Sequence, residues 1–558
     1  MKSLRSFGAV AVSAALCGSI LMGCQKEPST QPSQEQSSDA MPVAPAVDEA
    51  TVVNTSSGTV RGVVEGDVLA FKGIPYAQPP VGDLRWRAPQ PISWQGEKSA
   101  AQYGNDCMQE PFPSDAAPLG TTPAEDCLVL NVWKQADSND ASLPVVVWIH
   151  GGGWVNGGSS PEVYDGSPFA RKGVVFASIN YRLGRFGFFA HPALTAAAEG
   201  PLANYGQMDQ VAALKWIKDN AAAFGGDPNA ITIMGESAGG FSVFNLMLIK
   251  ESQGLFQQAI IMSGGGRGSN RGTRMLSEDQ GDQISAEKVG LNFAEANGIE
   301  GTGPEALASL RALSAEDVTD GLSMTYLFAP PQGPITYGGG PIRDNNIITD
   351  ATGARIARGE AAKVPVLIGT TSADIGFGVG DSKEELFAWF GDYADEARKA
   401  YDPEGDAPLP VLKMMVGADQ FMTEPAHYAA REFTRFGQPV WLYRFSYVAE
   451  SMLGEWQTGA PHATEIPYFL DTVTAKYGDD LTPKDAQAAD LAINAFTNFI
   501  KTGNPNDAGS EAWPTYQGAN GPLMDFTSEA TAEVKDDPWQ ERLSIITKVE
   551  NEKSADNQ

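Results

Sequence analysis

A serine hydroxyl becomes a useful nucleophile only when a base takes its proton and an orienting group holds that base. Residues 231–240, Ile-Thr-Ile-Met-Gly-Glu-Ser-Ala-Gly-Gly, offer a serine in a setting where this could happen. A short apolar run of β character ends in Gly-x-Ser-x-Gly, and a helical pattern from Phe241 to Lys250 follows at once. Leaving a strand and entering a helix within a few residues forces Ser237 into a strained turn. Gly235 and Gly239 supply the room for that turn, and the hydroxyl is pushed out above the sheet edge. The amide of Ala238, at the start of the helix, can donate to an anion with the helix dipole behind it. With 60 glycines in the chain, a bare Gly-x-Ser-x-Gly carries little weight. The strand before it, the helix after it and the extra Gly240 supply the weight. The competing reading is a glycine-rich turn whose serine only caps the helix.

The other parts of such a site have candidates. Directly after a predicted strand at 145–149 comes His150-Gly151-Gly152-Gly153-Trp154, where bare backbone amides can approach a ligand oxygen. Gly152 and Gly153, with Ala238, are the expected donors to an oxyanion. Loss of one such donor costs about 10²–10³ in rate. The base must be one of four histidines. His150 belongs to the donor loop, His191 precedes Pro192, and His427 falls in a helix-like run at 425–436. His462 stands in a loop, Gly459-Ala460-Pro461-His462-Ala463-Thr464-Glu465, late in the chain. The order nucleophile, acid, base that accompanies this kind of serine turn selects His462. For the acid, the predicted strand at 364–369 runs into Thr370-Thr371-Ser372-Ala373-Asp374, and Asp374 is assigned. Asp381 is the second candidate, and Glu465 is close in sequence to the histidine it would have to orient.

These residues need a scaffold that brings distant loops together. Strand-like segments at 145–149, 174–180, 230–234, 259–262, 364–369 and 440–445 alternate with helix-like ones. That is the sign of a mainly parallel sheet with helices on both faces, an α/β fold. A helix is expected over 208–223, with Val211, Leu214, Trp216, Ile217 and Ala221 favouring one side. Segments 270–360 and 376–430 read as helical and loop insertions able to form pocket walls. Trp154, Phe188 and Phe377 are candidate pocket aromatics. Another helix over 486–500 is stopped by Thr502-Gly503-Asn504-Pro505. One domain over 51–550, followed by a polar tail at 551–558, accounts for the length of 558 residues. A net charge of −30 disfavours nucleic acid and anionic lipid as partners.

Residues 1–23 read as a signal peptide: Lys2 and Arg5, an apolar run over 7–22, and small residues before Cys24. Leu21-Met22-Gly23-Cys24 resembles a bacterial lipobox, which makes Cys24 the lipidated first residue of the mature protein. The chain is then an exported lipoprotein on the periplasmic side of a membrane or at the cell surface. Residues 24–50 form a lipidated, flexible tether. Cys107 and Cys127 remain, and in an oxidising compartment they are expected to pair. The loop of about 20 residues that they close is worth about 3 kcal/mol in the entropic model.

Further segments specify the resemblance: Phe71-Lys72-Gly73-Ile74-Pro75-Tyr76-Ala77, Glu125-Asp126-Cys127-Leu128 leading to Leu130-Asn131-Val132-Trp133, and Asn204-Tyr205-Gly206 with Asp209-Gln210. Phe224-Gly225-Gly226-Asp227-Pro228, the serine turn itself and Gly503-Asn504-Pro505-Asn506 complete it. From about Val60 to Phe526 the chain resembles the type-B carboxylesterases, the cholinesterase-like branch of the α/β-hydrolases. The resemblance implies Ser237 as nucleophile, His462 as base, a Cys107–Cys127 disulfide, and hydrolysis of small-molecule esters through an acyl-enzyme. One departure stands out. The family usually places Glu in Gly-Thr-Thr-x-Asp-Glu-Gly, whereas Gly369-Thr370-Thr371-Ser372-Ala373-Asp374-Ile375-Gly376 carries the shorter Asp. Neither a metal nor an organic cofactor is required by this chemistry. Two alternatives stay open: a non-catalytic interaction protein of the same fold, or cleavage of carbamate, amide or polyester bonds.

Overall fold

The computed structural model describes residues 49–112, 117–137, 142–267, 273–329, 332–509, 512–518 and 521–556. The expected signal peptide, Cys24 and nearly all of the tether lie outside the described residues.

Eleven strands make one sheet: β1 (Val63–Glu65), β2 (Val68–Pro75), β3 (Val129–Gln135), β4 (Leu143–Ile149), β5 (Val175–Ile179), β6 (Gly226–Glu236), β7 (Gln258–Met262), β8 (Val366–Thr371), β9 (Val440–Phe445), β10 (Leu523–Phe526) and β11 (Ala532–Lys535). Their lateral order is β11-β10-β9-β8-β7-β6-β4-β5-β3-β2-β1. Pairing is parallel from β5 across to β10 and antiparallel at both margins. The six strands expected from sequence all form.

The central strands are buried on both faces, which is why they read as unbroken apolar runs rather than alternating ones. Alternate residues still serve different layers. Val145, Val147, Ile149, Ile231, Ile233, Ala259 and Ile261 enter one core, while Val146, Trp148, Met234, Ile260 and Met262 enter the other. A third, smaller core is built by Lys383–Ala388, Ala394–Tyr401, Leu409–Ala418 and the last helix, Gln540–Asp556.

Two elements differ from expectation. The helix before the serine strand spans Tyr205–Asn220, and Gln207, Asp209 and Gln210 are buried along with its apolar residues. An amphipathic stripe understates a helix that is covered nearly all round. The polar tail expected from residue 551 is instead helix as far as Asp556. Neighbouring elements hold it: Arg267 donates to Asn551 and the Lys553 ammonium lies 3.6 Å from the Trp389 ring centre. Among the described residues no helix is long and apolar enough to cross a membrane.

Candidate active site

β6 ends at Glu236, and a helix begins at Ala238 and runs to Leu248. Between them Ser237 has φ 55° and ψ −122°, a left-handed conformation that is uncommon for a residue with a Cβ. The turn is tight because the new helix passes directly over the end of β4. A Cβ on Gly239 would lie 2.0 Å from the Ile149 carbonyl oxygen, and one on Gly235 would lie 2.6 Å from Gly239. Both glycines of the motif are therefore required by close approach. The Ser237 amide donates to the Met262 carbonyl at 2.9 Å, pinning the turn to β7.

His462 and Asp374 arrive from two loops that are tied to each other. Past β8, the Ala373 amide donates to the Ala460 carbonyl (2.9 Å), and the Ala460 amide donates to Ser372 Oγ (2.9 Å). This bridge sets His462 Nδ1 2.6 Å from Asp374 Oδ1 and His462 Nε2 2.9 Å from Ser237 Oγ. An ionised Asp374 can only accept, so Nδ1 carries the ring proton and Nε2 is left to accept from the serine hydroxyl. Asp374 is fully enclosed. Burial alone would raise its pKa, but the charge and hydrogen bond of His462, the Ser263 hydroxyl (2.7 Å) and the Ile375 amide (2.7 Å) hold it below the usual carboxylate value. Asp381, the second candidate for the acid, instead donates its amide to Glu385 at 2.7 Å.

Two further carboxylates act on the imidazole: Glu236, which the sequence reading did not name, and Glu465, which it weighed for the acid. Glu236 Oε1 lies 3.2 Å from His462 Nε2. Glu465 is buried, and burial together with the charges of Glu236 and Asp374 drives its pKa well above the ordinary value. Burial opposes a charged His462, but Glu236, Asp374 and Glu465 outweigh that effect and raise its pKa. The arrangement therefore favours imidazolium, the species formed once the ring has taken a proton. A glutamate directly preceding the serine in the motif was the available signal for Glu236.

His150 is buried at the end of β4, its ring stacked on Tyr181 with centroids 4.5 Å apart, and Tyr181 Oη donates to the His150 carbonyl at 2.8 Å. The loop that follows turns back on itself. Gly152 (φ 92°) and Gly153 (φ 61°) take conformations open to glycine, and the Asn156 amide closes the turn on the Gly152 carbonyl at 2.9 Å. Among the described residues, no group accepts from the amides of Gly152, Gly153 or Ala238. The three can therefore serve a substrate oxygen. Gln109, inside the loop closed by the Cys107–Cys127 disulfide, exchanges two hydrogen bonds with Gly157 (2.8 and 2.6 Å). Through it the disulfide loop braces the glycine loop.

His427 and His191 take no part. His427 lies on a buried helix 3.1 Å from Asp537, and His191 caps a short helix by accepting from the Ala193 amide at 3.1 Å.

Two cavities meet at Ser237 and His462. One of about 430 Å³ is lined by Gly151, Gly152, Glu236, Tyr164, Trp456 and Lys476. The other, about 300 Å³, has an apolar wall that includes Trp154, Phe241, Phe377 and Phe421. Phe188, expected among the pocket aromatics, lines neither. It is 2% exposed and packs behind Trp154 with Val155, Leu322 and Tyr337. Among the described residues no group of three or more His, Cys, Asp or Glu side chains is arranged to hold a metal ion.

Comparison with known proteins places these features in context. A profile of the Carboxylesterase family matches residues 49–546. The chain is 33% identical to the fumonisin B1 esterase of Sphingopyxis macrogoltabida over 514 residues, covering 88% of this chain and 89% of that one. It is also 33% identical to the para-nitrobenzyl esterase of Bacillus subtilis (strain 168), over 88% of this chain and 97% of that one. A solved structure of PNB esterase superposes with a TM-score of 0.75 at 31% identity, covering 89% of this chain and 99% of that chain.

Proposed function

The chain belongs to the carboxylesterase family and is a carboxylic ester hydrolase, and on that premise we propose that it works through an acyl-enzyme on Ser237. His462 Nε2 takes the serine proton as Oγ bonds to the ester carbonyl carbon. The carbonyl oxygen becomes an anion received by the amides of Gly152, Gly153 and Ala238. As the tetrahedral species collapses, the carbon–oxygen bond to the alcohol breaks and His462 returns the proton to the departing oxygen. Water then repeats the sequence on the acyl-serine. His462 takes the water's proton, the carbonyl–Oγ bond breaks, Ser237 recovers its proton and the carboxylic acid leaves. Asp374 holds the ring in the required tautomer and stabilises its cation throughout.

The supporting observation is the chain of contacts from Asp374 Oδ1 through His462 to Ser237 Oγ, at 2.6 and 2.9 Å. Short-chain aryl esters and an alkyl phosphonate test it. Ser237→Ala is expected to lose kcat on the order of 10⁶-fold, as removal of such a nucleophile does elsewhere. The phosphonate is expected on the peptide that carries Ser237. Undiminished turnover by Ser237→Ala rejects the mechanism.

A further inference from the structure

The amides that would receive the oxyanion belong to two separate segments: Gly152 and Gly153 on the loop after β4, and Ala238 at the head of the helix that follows Ser237. Both segments must aim at one oxygen, so their spacing has to be held. Close packing holds the upstream end of the loop, where a Cβ on Gly239 would meet the Ile149 carbonyl oxygen at 2.0 Å. The downstream end is strained. Gly152, Gly153 and Trp154 in succession have positive φ, 92°, 61° and 60°, and Trp154 carries a Cβ. A residue keeps such a conformation only where its surroundings fix it.

One buried hydroxyl supplies much of that fixing. Ser242 lies one turn into the helix Ala238–Leu248 and is fully buried. Its Oγ donates to the Ala238 carbonyl at 2.7 Å, which commits its single proton. The oxygen is then left to accept, and three N–H groups converge on it: Trp154 Nε1 at 3.2 Å, Gln207 Nε2 at 3.2 Å and Gln210 Nε2 at 3.1 Å. Both glutamines are buried on the helix Tyr205–Asn220. Three donors crowd two lone pairs, so the hydroxyl proton has no better direction than the Ala238 carbonyl.

The indole ring is also gripped on its carbon atoms. Phe241 and Phe188 meet it edge-to-face with centroids at 5.3 and 6.3 Å, and a Cβ on Gly340 would lie 2.4 Å from it. An alanine beneath a phenylalanine ring would fill this space equally well. Polar atoms buried here cost free energy unless they are bonded, and these bonds run from one donor segment to the other. Ser242 itself lines neither cavity at Ser237.

We propose that Ser242 is a positioning residue for the oxyanion hole. Its hydroxyl joins the Trp154 indole to the Ala238 carbonyl and so keeps the amides of Gly153 and Ala238 aimed at one point. Release of the indole lets Trp154 leave its left-handed conformation, which carries the adjoining Gly153 with it. The proposal rests on the esterase mechanism above.

The test combines p-nitrophenyl acetate turnover, counted per site titrated with the phosphonate, with the affinity of an aryl trifluoromethyl ketone. Ser237 Oγ adds to the ketone carbon, His462 takes the proton, and the carbonyl oxygen becomes an anion on the same amides. Ser242→Ala is expected to lower kcat about tenfold, less than the 10²–10³ of outright donor loss. Acylation and deacylation both form the oxyanion, so both slow together and KM holds within about twofold. Ketone affinity is expected to fall by a factor matching the loss in kcat. A purely structural role would instead reduce the titrated fraction and leave kcat per site and ketone affinity unchanged. Trp154→Phe keeps a ring and removes the N–H, and is expected to lose part of the same kcat. The double variant is expected to fall no lower than Ser242→Ala, because an N–H without its acceptor has no bond left to lose. Unchanged kcat per site, a loss confined to KM, unchanged ketone affinity or additive losses would each overturn the proposal. If Ser242→Ala does not fold, Trp154→Phe decides: unchanged kcat and ketone affinity there overturn it. With wild-type turnover and phosphonate on Ser237, those outcomes remove only the role of Ser242. Absence of phosphonate on Ser237 removes the mechanism beneath it as well.

Discussion

Glu236 is the residue on which the behaviour of His462 turns. The Nε2 atom has one position to fill: in the neutral ring it accepts from Ser237 Oγ, and in the charged ring it donates, with Glu236 Oε1 3.2 Å away. Glu236 therefore does not itself take the serine proton; it stabilises the cation that the transfer leaves on the ring. The cost is that the resting ring also gains protons more readily, since its pKa is raised above 6.5 by Glu236 and Asp374 against the pull of burial. In the proposed mechanism the neutral ring is the base, so the acidic limb of kcat/KM is expected above pH 6.5. Glu236→Gln is expected to move that limb to lower pH while lowering kcat on the plateau, because the imidazolium loses a partner. A pH–rate profile checks both, and an unmoved limb contradicts the assigned role. Residue type and order along the chain led to Ser237, His462 and Asp374, and the structure brings these three side chains together. Glu465 was not, because a carboxyl next to a histidine in sequence says nothing about being enclosed with it.

Among the elements, the parallel strands do the positioning. Ile149 is paired with Gly235, Glu236 with Met262, and Met262 with Gly369, so the ends of β4, β6, β7 and β8 come level. The glycine loop after β4, Ser237 and the loop that carries Asp374 all emerge at the carboxyl edge, where sheets of this kind hold their sites. Close to that edge, the loop after β5 is locked to the helix Tyr205–Asn220 by Arg182. Its backbone amide and guanidinium make three hydrogen bonds to Asp209, at 3.1, 2.7 and 2.7 Å, and both side chains are buried. Removing one partner of a buried pair leaves an uncompensated charge and costs about 3–5 kcal/mol. Asp209→Asn is expected to lower the urea midpoint accordingly, and a loss under about 1 kcal/mol would mean that water or neighbours satisfy Arg182. The helix itself was foreseen. Its buried polar residues were not, because a periodicity argument assigns polar side chains to solvent by default.

At the scale of the molecule, the rim of the apolar cavity depends on the far end of the chain. Ile545, Ile546 and Val549 of the last helix pack with Leu386, Phe387, Phe390 and Tyr401 in the third core. Arg542 of the same helix pairs with Asp419, which opens the π-helical turn that carries Phe421. Truncation after residue 538 is expected to expose that small core, read out as increased binding of an apolar dye. It is also expected to weaken ester turnover, because the turn that carries Phe421 beside the serine loses its anchor. Unchanged turnover by a truncated protein that binds no dye would show the helix to be dispensable.

Local chemistry settled a good deal in advance. Glycines at fixed offsets around a serine, a glycine run after an apolar strand, and apolar segments of strand length specify a strained turn, free amides and a buried parallel sheet. They do so because backbone sterics and strand periodicity act over a few residues. What needed the folded chain was everything decided by approach between distant segments. The Ala373–Ala460 bridge presents the imidazole to both partners, Gln109 braces the glycine loop across the disulfide loop, and the last helix continues past residue 551. Spacing along a chain carries no information about such contacts, since they arise where separate elements happen to pack.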